Sequence, residues 1–283
     1  MSLRSKIALV TGAGQGIGRA TAQRLARAGA NLVIQDIDEA ALAETARHLN
    51  TFEVDVLSLT GDLTEPDLPE QVIKDCVEAF GGLDIIINNA GYIWNGAMHN
   101  HSEAQWQAML DIHATVPFRI LKAFSEWLRP TAKAEIQSNG VACCRKVVNV
   151  SSVSGTQGSA TQVGYAAGKA AVIGLTKTLA KEWGRYNVTV NAVAFGHIET
   201  RLTQGYSDSI PEITVGDQQF RVGLSFQQRN ALAQTVPLGR AGTVDEAAGA
   251  IYLLTLPESD YITGEILTCS GGACGQSGLR SLR

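Results

Sequence analysis

A chain of 283 residues with 45% apolar and 18% charged side chains can bury a sizeable core, which excludes a disordered polymer. A formal charge of −4 leaves no basic footprint for nucleic acid or an anionic membrane surface. No apolar run is long enough to cross a bilayer, and MSLRSKIALVTG lacks the marks of a secretion signal, so a cytoplasmic protein is expected.

In chain order, KIALVTG reads as a first strand, a helix follows over residues 17–28, and NLVIQD reads as a second strand. TGAGQGIG, residues 11–18, joins that first strand to its helix. Gly12, Gly16 and Gly18 permit a tight turn, close backbone approach to a pyrophosphate, and close helix–strand packing. The free N–H groups at the helix start favour phosphate. A glycine pattern alone is weak, but a strand before it and a helix after it point to a dinucleotide rather than to a structural turn.

Asp36 ends the second strand, 18 residues after Gly18. A carboxylate there accepts hydrogen bonds from the adenosine ribose hydroxyls and repels a 2′-phosphate. No Arg or Lys lies between Asp36 and Arg47 to hold such a phosphate, so NAD(H) is favoured over NADP(H). The competing reading is an ordinary strand-end Asp in the turn DID.

VLSLTGD, LDIIINNAG, KVVNVSS and VTVNAVAFG read as further strands separated by helix-length segments, and LTCSGG as the last. Continuous apolar strands alternating with helices predict a single doubly wound α/β domain. Its mostly or wholly parallel sheet should have about seven strands, with helices on both faces. Two segments break the rhythm. Residues 129–146 read as an inserted loop, longer than a usual helix-to-strand connection. Residues 203–236 read as a polar lid over the cleft, with Phe220, Leu224 and Phe226 on one helical face, or else as a rigid excursion or oligomer contact. The Gly- and Ser-rich tail after Gly271 is expected to be poorly ordered unless a partner subunit covers it.

GYAAGKAAVIGLTKTLAKEW places Tyr165 and Lys169 four residues apart, neighbours on one face of a helix. By itself this fits an amphipathic helix with a snorkelling lysine. The cysteines, Cys76, Cys143, Cys144, Cys269 and Cys274, are odd in number and lack metal-ligand spacing, so reduced thiols and no metal are expected.

Taken together, the motifs resemble the short-chain dehydrogenase/reductase family. T-G-x-x-x-G-x-G matches residues 11–18, N-N-A-G matches residues 88–91, a serine matches Ser152, and Y-x-x-x-K matches Tyr165 and Lys169. The resemblance runs from about residue 6 to residue 272. It implies a Rossmann-type fold and hydride transfer between a nicotinamide cofactor and a carbonyl or alcohol. Tyr165 would be the general acid/base, its pKa lowered by the Lys169 ammonium. Lys169 would also bond the nicotinamide ribose, and the Ser152 hydroxyl would orient the substrate oxygen. Ser151 should point to the opposite face.

Residue by residue, the resemblance carries cofactor contacts to Gly12, Gln15, Gly16, Ile17, Gly18 and Asp36. Asp62 and Leu63 would lie at the adenine, and Asn89, Ala90 and Gly91 along the adenosine side, unless residues 88–91 are purely a structural turn. Ile198 and Thr200 would lie at the nicotinamide and the pyrophosphate, joined by Tyr165 and Lys169. His113 stands where the family has Asn. Structural replacement, entry of the imidazole into a proton relay, and impaired catalysis all remain open. Phe195 replaces the Pro of P-G-x-I-x-T, either filling a gap or stacking on the cofactor.

The pattern most resembles the 3-oxoacyl-[acyl-carrier-protein] reductase subgroup, which usually uses NADPH and so conflicts with Asp36. A small-molecule alcohol or ketone is the implied substrate, an acyl thioester among the candidates. A sugar, polyol or steroid alcohol fits the motifs equally. The resemblance also implies a homodimer or homotetramer. A catalytically weak NAD-sensing scaffold is the rival from another class, opposed by the intact set of Ser152, Tyr165 and Lys169.

Overall fold

Apolar side chains recurring at every position of a strand can be buried only if both faces of the sheet are covered. The computed structural model, which describes residues 3–200 and 235–273 and, between them, the backbone of four short strands, meets that demand with one α/β domain. β1 (Ile7–Thr11), β2 (Asn31–Asp36), β3 (Val56–Thr60), β4 (Ile85–Asn88), β5 (Arg145–Ser152), β6 (Val188–Phe195) and β11 (Ile266–Cys269) form one seven-stranded sheet. Its order is β11-β6-β5-β4-β1-β2-β3, and every pairing is parallel. The expected fold is therefore the observed one.

Alternation along the strands divides the core. Ile85 and Ile87 of β4 join a cluster containing Leu25, Ile34, Val193 and Ile251. Ile86 faces the other way, among Leu9, Val33, Phe124 and Trp183. The first cluster is covered by α1 (Gly16–Arg27), α2 (Glu39–Leu49) and α8 (Val244–Leu253). The second is covered by α3 (Leu68–Phe80), α5 (Val116–Asn139) and α7 (Val163–Trp183). α4 (Glu103–Leu110) and the short α6 (Val153–Gln157) flank α7.

The chain leaves β1 toward β2 and β3, then returns to β4 on the other side of β1. That reversal opens a crevice at the C-terminal ends of β1 and β4, where ligands of such sheets bind. Beside it, a buried polar chain crosses the core. Asn88 Nδ2 donates to Asn149 Oδ1 at 2.8 Å, Asn149 Nδ2 to Thr176 Oγ1 at 2.9 Å, and Thr176 Oγ1 to the Val172 carbonyl at 2.8 Å.

Residues 129–146 are not the inserted loop expected. α5 continues through Pro130 to Asn139, Gly140 caps it in the left-handed region at φ 79°, and β5 begins at Arg145. Pro130 removes one N–H donor, yet the apolar stripe of Leu128 and Ala132 stays buried across it. Glu135 then fastens the helix end to β5 through Arg145, at 2.6 and 2.9 Å, and accepts the Cys143 N–H at 2.9 Å.

The lid expected at residues 203–236 lies outside the described residues, apart from the backbone of β7 (Gly205–Tyr206), β8 (Glu212–Val215), β9 (Gln218–Arg221) and β10 (Leu224–Ser225) and its last two residues. The helical face proposed for Phe220 and Leu224 is overturned, since both fall in strands. β8 and β9 pair antiparallel, Ile213 opposite Phe220, and the β-branched Ile213, Thr214 and Val215 favour that extended backbone. Phe226, Cys274 and the tail beyond it lie outside the described residues. No helix among the described residues is long and apolar enough to cross a membrane.

Candidate active site

The glycine turn is shaped by contacts that a side chain would destroy. Gly12 takes φ +64°, and a Cβ there would lie 2.8 Å from the Ala90 Cα; a Cβ on Gly18 would run into the Gly12 carbonyl. Gly16 takes φ +55° with open space beyond it, and the Gln15 side chain does not cap α1. The first N–H groups of α1 and the bare backbone at Gly16 thus form a cradle that fits a pyrophosphate, with Ile17 packed behind it on the core.

Asn89 holds this turn in place. Its Nδ2 donates to the Thr11 and Gly12 carbonyls at 2.9 and 3.1 Å, while Thr11 Oγ1 accepts the N–H groups of Asn89 and Ala90 at 3.0 and 3.1 Å. Residues 88–91 are therefore a joint between β1 and β4 as well as a wall of the crevice.

At the end of β2, Asp36 is buried, its Oδ2 accepting the Gly14 N–H at 2.7 Å and its Oδ1 the Asp38 N–H at 3.0 Å. Asp62 Oδ1 accepts from the Thr64 N–H and hydroxyl at 2.9 and 2.8 Å, beside the buried Leu63. At the other end, Ile198 is buried and bridges to Gly242, and Thr200 follows two residues later.

Ser152 ends β5 and caps α6, accepting the Ser154 N–H at 3.1 Å. Its hydroxyl donates to the Phe195 carbonyl at 3.4 Å. Ser151 points the other way, as expected, donating to the Lys169 carbonyl at 2.8 Å. The Phe195 ring is buried in the core with Val150 and Ile198, which makes it a gap-filler and not a stacking surface.

Lys169 is buried, donates from Nζ to the Val150 carbonyl at 2.7 Å, and lies 5.8 Å from the centre of the Tyr165 ring. Burial pulls this ammonium down to about 7. Tyr165 departs from the expectation that Lys169 lowers its pKa. Burial raises the phenol instead, and the opposing pull comes from Ser152. The Lys169 ammonium is directed instead at the Val150 carbonyl.

His113 lies in a π-helical turn, Asp111–Thr115, between α4 and α5, a distortion that tends to mark functional sites. It is buried, and its Nε2 lies 2.7 Å from the Tyr92 carbonyl. Because a carbonyl can only accept, Nε2 carries the proton, leaving Nδ1 without a partner. The ring meets Tyr165 edge to face, centroids 5.0 Å apart. Burial first, and then the Lys169 charge, push its pKa well below the ordinary value. A neutral imidazole ties the π-turn to the crevice wall, which favours structural replacement over a ring that titrates near neutral pH.

The small residues around Tyr165 serve contacts within the chain. A Cβ on Gly168 would lie 2.8 Å from both the Met109 carbonyl and His113 Cβ, and one on Gly155 2.6 Å from the Lys169 backbone. Two features carried no readable signal. Thr161, a β-branched residue, takes φ +67°, and its carbonyl accepts the Gly96 N–H at 2.8 Å, pinning the segment before α7 to the one after β4. Arg19 reaches from α1 to the carbonyl of Gly14, beside Asp36. This cation comes from α1 and not from the residues that follow β2.

The family model described as short chain dehydrogenase matches residues 6–210. The 3-oxoacyl-[acyl-carrier-protein] reductase FabG of Vibrio cholerae is 35% identical over 272 residues, covering 96% of this chain and 98% of that protein. That of Thermotoga maritima is 33% identical over 272 residues, covering 96% and 99%. A double mutant of the Serratia marcescens short-chain dehydrogenase/reductase superposes with a TM-score of 0.80 at 25% identity, covering 96% of this chain and 99% of that one. On this fold, this crevice and these matches, the chain belongs to the short-chain dehydrogenase family and is a nicotinamide-dependent oxidoreductase of alcohols and ketones.

Proposed function

We propose that the protein interconverts a secondary alcohol and a ketone with NAD(H), and that a 3-oxoacyl thioester and its 3-hydroxy product are the substrate pair. One observation carries the chemistry: the Ser152 hydroxyl pulls on the Tyr165 phenol, which stands one helical turn from a buried Lys169. The thioester assignment rests on the likeness to 3-oxoacyl-[acyl-carrier-protein] reductases along nearly the whole chain.

The glycine turn at Gly12, Gly16 and Gly18 would hold the pyrophosphate, and Asp36, Asp62 and the wall at Asn89, Ala90 and Gly91 the adenosine. Lys169, Ile198 and Thr200 would hold the nicotinamide end. When bound, the nicotinamide supplies or accepts the hydride. In reduction, Tyr165 gives its phenolic proton to the substrate oxygen as that oxygen gains charge; in oxidation it takes the proton back. Ser152 donates a hydrogen bond to the same oxygen, which strengthens as charge develops. Lys169, held on the Val150 carbonyl one helical turn from Tyr165, would anchor the nicotinamide ribose beside the phenol. His113 keeps Tyr92 and the crevice wall in register with Tyr165 and moves no proton.

Asp36 supports NAD(H), because its carboxylate stands where a 2′-phosphate would be repelled. Exposed Trp106 and Phe118 on α4 and α5, and Leu253 and Tyr261 beside the β11 edge, support a homo-oligomer. The test is a panel of 3-oxoacyl thioesters, ketones, sugars and polyols, each assayed with NADH or NADPH or in the oxidising direction. Turnover confined to sugars or polyols would refute the thioester assignment. A higher kcat/KM with NADPH would refute the cofactor.

A further inference from the structure

Arg19, on the first turn of α1, folds its guanidinium back over the glycine turn. Nε and Nη2 donate to the Gly14 carbonyl at 2.9 and 2.6 Å. Nη2 also reaches the Ala41 carbonyl at 3.3 Å and the Glu44 carboxylate at 3.1 Å. The same Gly14 donates its N–H to Asp36 at 2.7 Å, and a Cβ on it would lie 3.2 Å from that of Ala41. One glycine thus separates a guanidinium from the Asp36 carboxylate.

Resting on the NAD(H) reading above, we propose that Arg19 is a latent 2′-phosphate ligand that Glu44 holds on the Gly14 carbonyl, so that Asp36 and Glu44 set the cofactor preference together. Asp36 repels the phosphate directly. Glu44 occupies the cation that would otherwise receive it. Two carboxylates, Asp36 and Glu44, flank the one guanidinium, an arrangement unfavourable to a dianion. The Arg19–Glu44 pair is partly exposed, with side-chain exposures of 25% and 55%, so solvent screens it and it exchanges readily. Arg19 holds the Glu44 carboxyl below its ordinary pKa, so Glu44 stays charged at neutral pH. A phosphate offers the guanidinium a bidentate, doubly charged acceptor, which a lone carboxylate does not match. With Asp36 present, repulsion prevents that exchange. With Asp36 and Glu44 both neutralised, nothing opposes it.

The experiment titrates the full chain with NADH and with NADPH separately, by calorimetry, and reads the ratio of the two Kd values. Taking the ratio cancels any general loosening of the glycine turn. Asp36→Ala should move the ratio toward NADPH, and Asp36→Ala with Glu44→Gln should move it by about a further tenfold, the size of one charge-assisted hydrogen bond. Adding Arg19→Gln should abolish that second gain, and the gain should shrink with added salt. A ratio that Glu44→Gln does not change in the Asp36→Ala background, or a gain that survives Arg19→Gln, would overturn the role of Arg19. A preference of the unmodified protein for NADPH would instead sink the reading of Asp36, and the two failures are told apart because the Arg19 comparison is made without Asp36.

Discussion

Lys169→Met should make the protein more stable while abolishing turnover. Burial holds the Lys169 ammonium at about 7, against 10.5 for the ordinary side chain. At 1.36 kcal/mol per pH unit, keeping that charge in the fold costs about 5 kcal/mol at pH 7 and below. Methionine has nearly the same reach and no charge, but it leaves the Val150 carbonyl without its donor, a loss of about 1–3 kcal/mol. The balance is a gain of about 2–4 kcal/mol, a rise in Tm of roughly 4–16 °C. The sign with pH follows from a folded pKa below the unfolded one. Stability is fully present above 10.5 and is lost as pH falls toward 7, so the advantage of Lys169→Met should be largest at pH 7 and shrink at higher pH. Urea unfolding of both proteins at pH 7, 8 and 9 measures it. A variant less stable than the parent, or a stability gap independent of pH, would refute the reasoning. Such a result would mean that the buried ammonium is fully compensated by its surroundings.

Tyr165→Phe should leave NADH affinity near that of the parent and lower kcat by about 100-fold or more, since only the transferable proton is removed; near-parental turnover would remove Tyr165 from the mechanism. Because the His113 imidazole is held neutral in the fold, it protonates first in the unfolded chain, so stability should fall as pH drops below 6.5, by up to about 1.4 kcal/mol per pH unit. His113→Asn should flatten that slope between pH 6.5 and 5, and an unchanged slope would show that the imidazole is already protonated in the fold. Gly91→Ala places a methyl against His113 Cε1 and 2.8 Å from its Nδ1, and should cost about 1–3 kcal/mol. Combined with His113→Ser the penalty should be less than additive, and strict additivity in denaturant unfolding would refute the contact.

The fold was legible because its determinants are local. Ile85, Ile86 and Ile87 spell a strand buried on both faces, and Gly12, Gly16 and Gly18 spell the turn that follows β1. The chemistry of Ser152, Tyr165 and Lys169 was legible as spacing. What spacing does not carry is the direction of side chains. The Lys169 ammonium is four residues from Tyr165, yet it bonds Val150, a residue on another element. His113 could be read as a proton carrier until burial and the Tyr92 carbonyl made it a neutral tie. Arg19 escaped notice for the same reason, since it reaches Gly14 and Glu44 through space from α1. Residues 129–139 misled because Pro130 and a polar run conceal a helix sustained by Leu128, Ala132 and the tertiary pair of Glu135 with Arg145.

The buried chain from Asn88 through Asn149 to Thr176 bears on how errors in assembly are rejected. Asn88 and Asn149 face each other across β4 and β5. If β5 slid by one residue, every side chain on it would change faces. Ser151 would then stand where Ser152 now does. The apolar residues Val147, Val148 and Val150 would tolerate the slip, because a valine is as well buried on either face. Asn149 would not: its amide would be thrust into the opposite apolar layer, and Asn88 and Thr176 would each lose a partner inside the core. The amide ladder therefore acts as a proofreading device, since the alignment that aims Ser152 at the crevice is the one that pairs Asn88, Asn149 and Thr176 between these strands and α7.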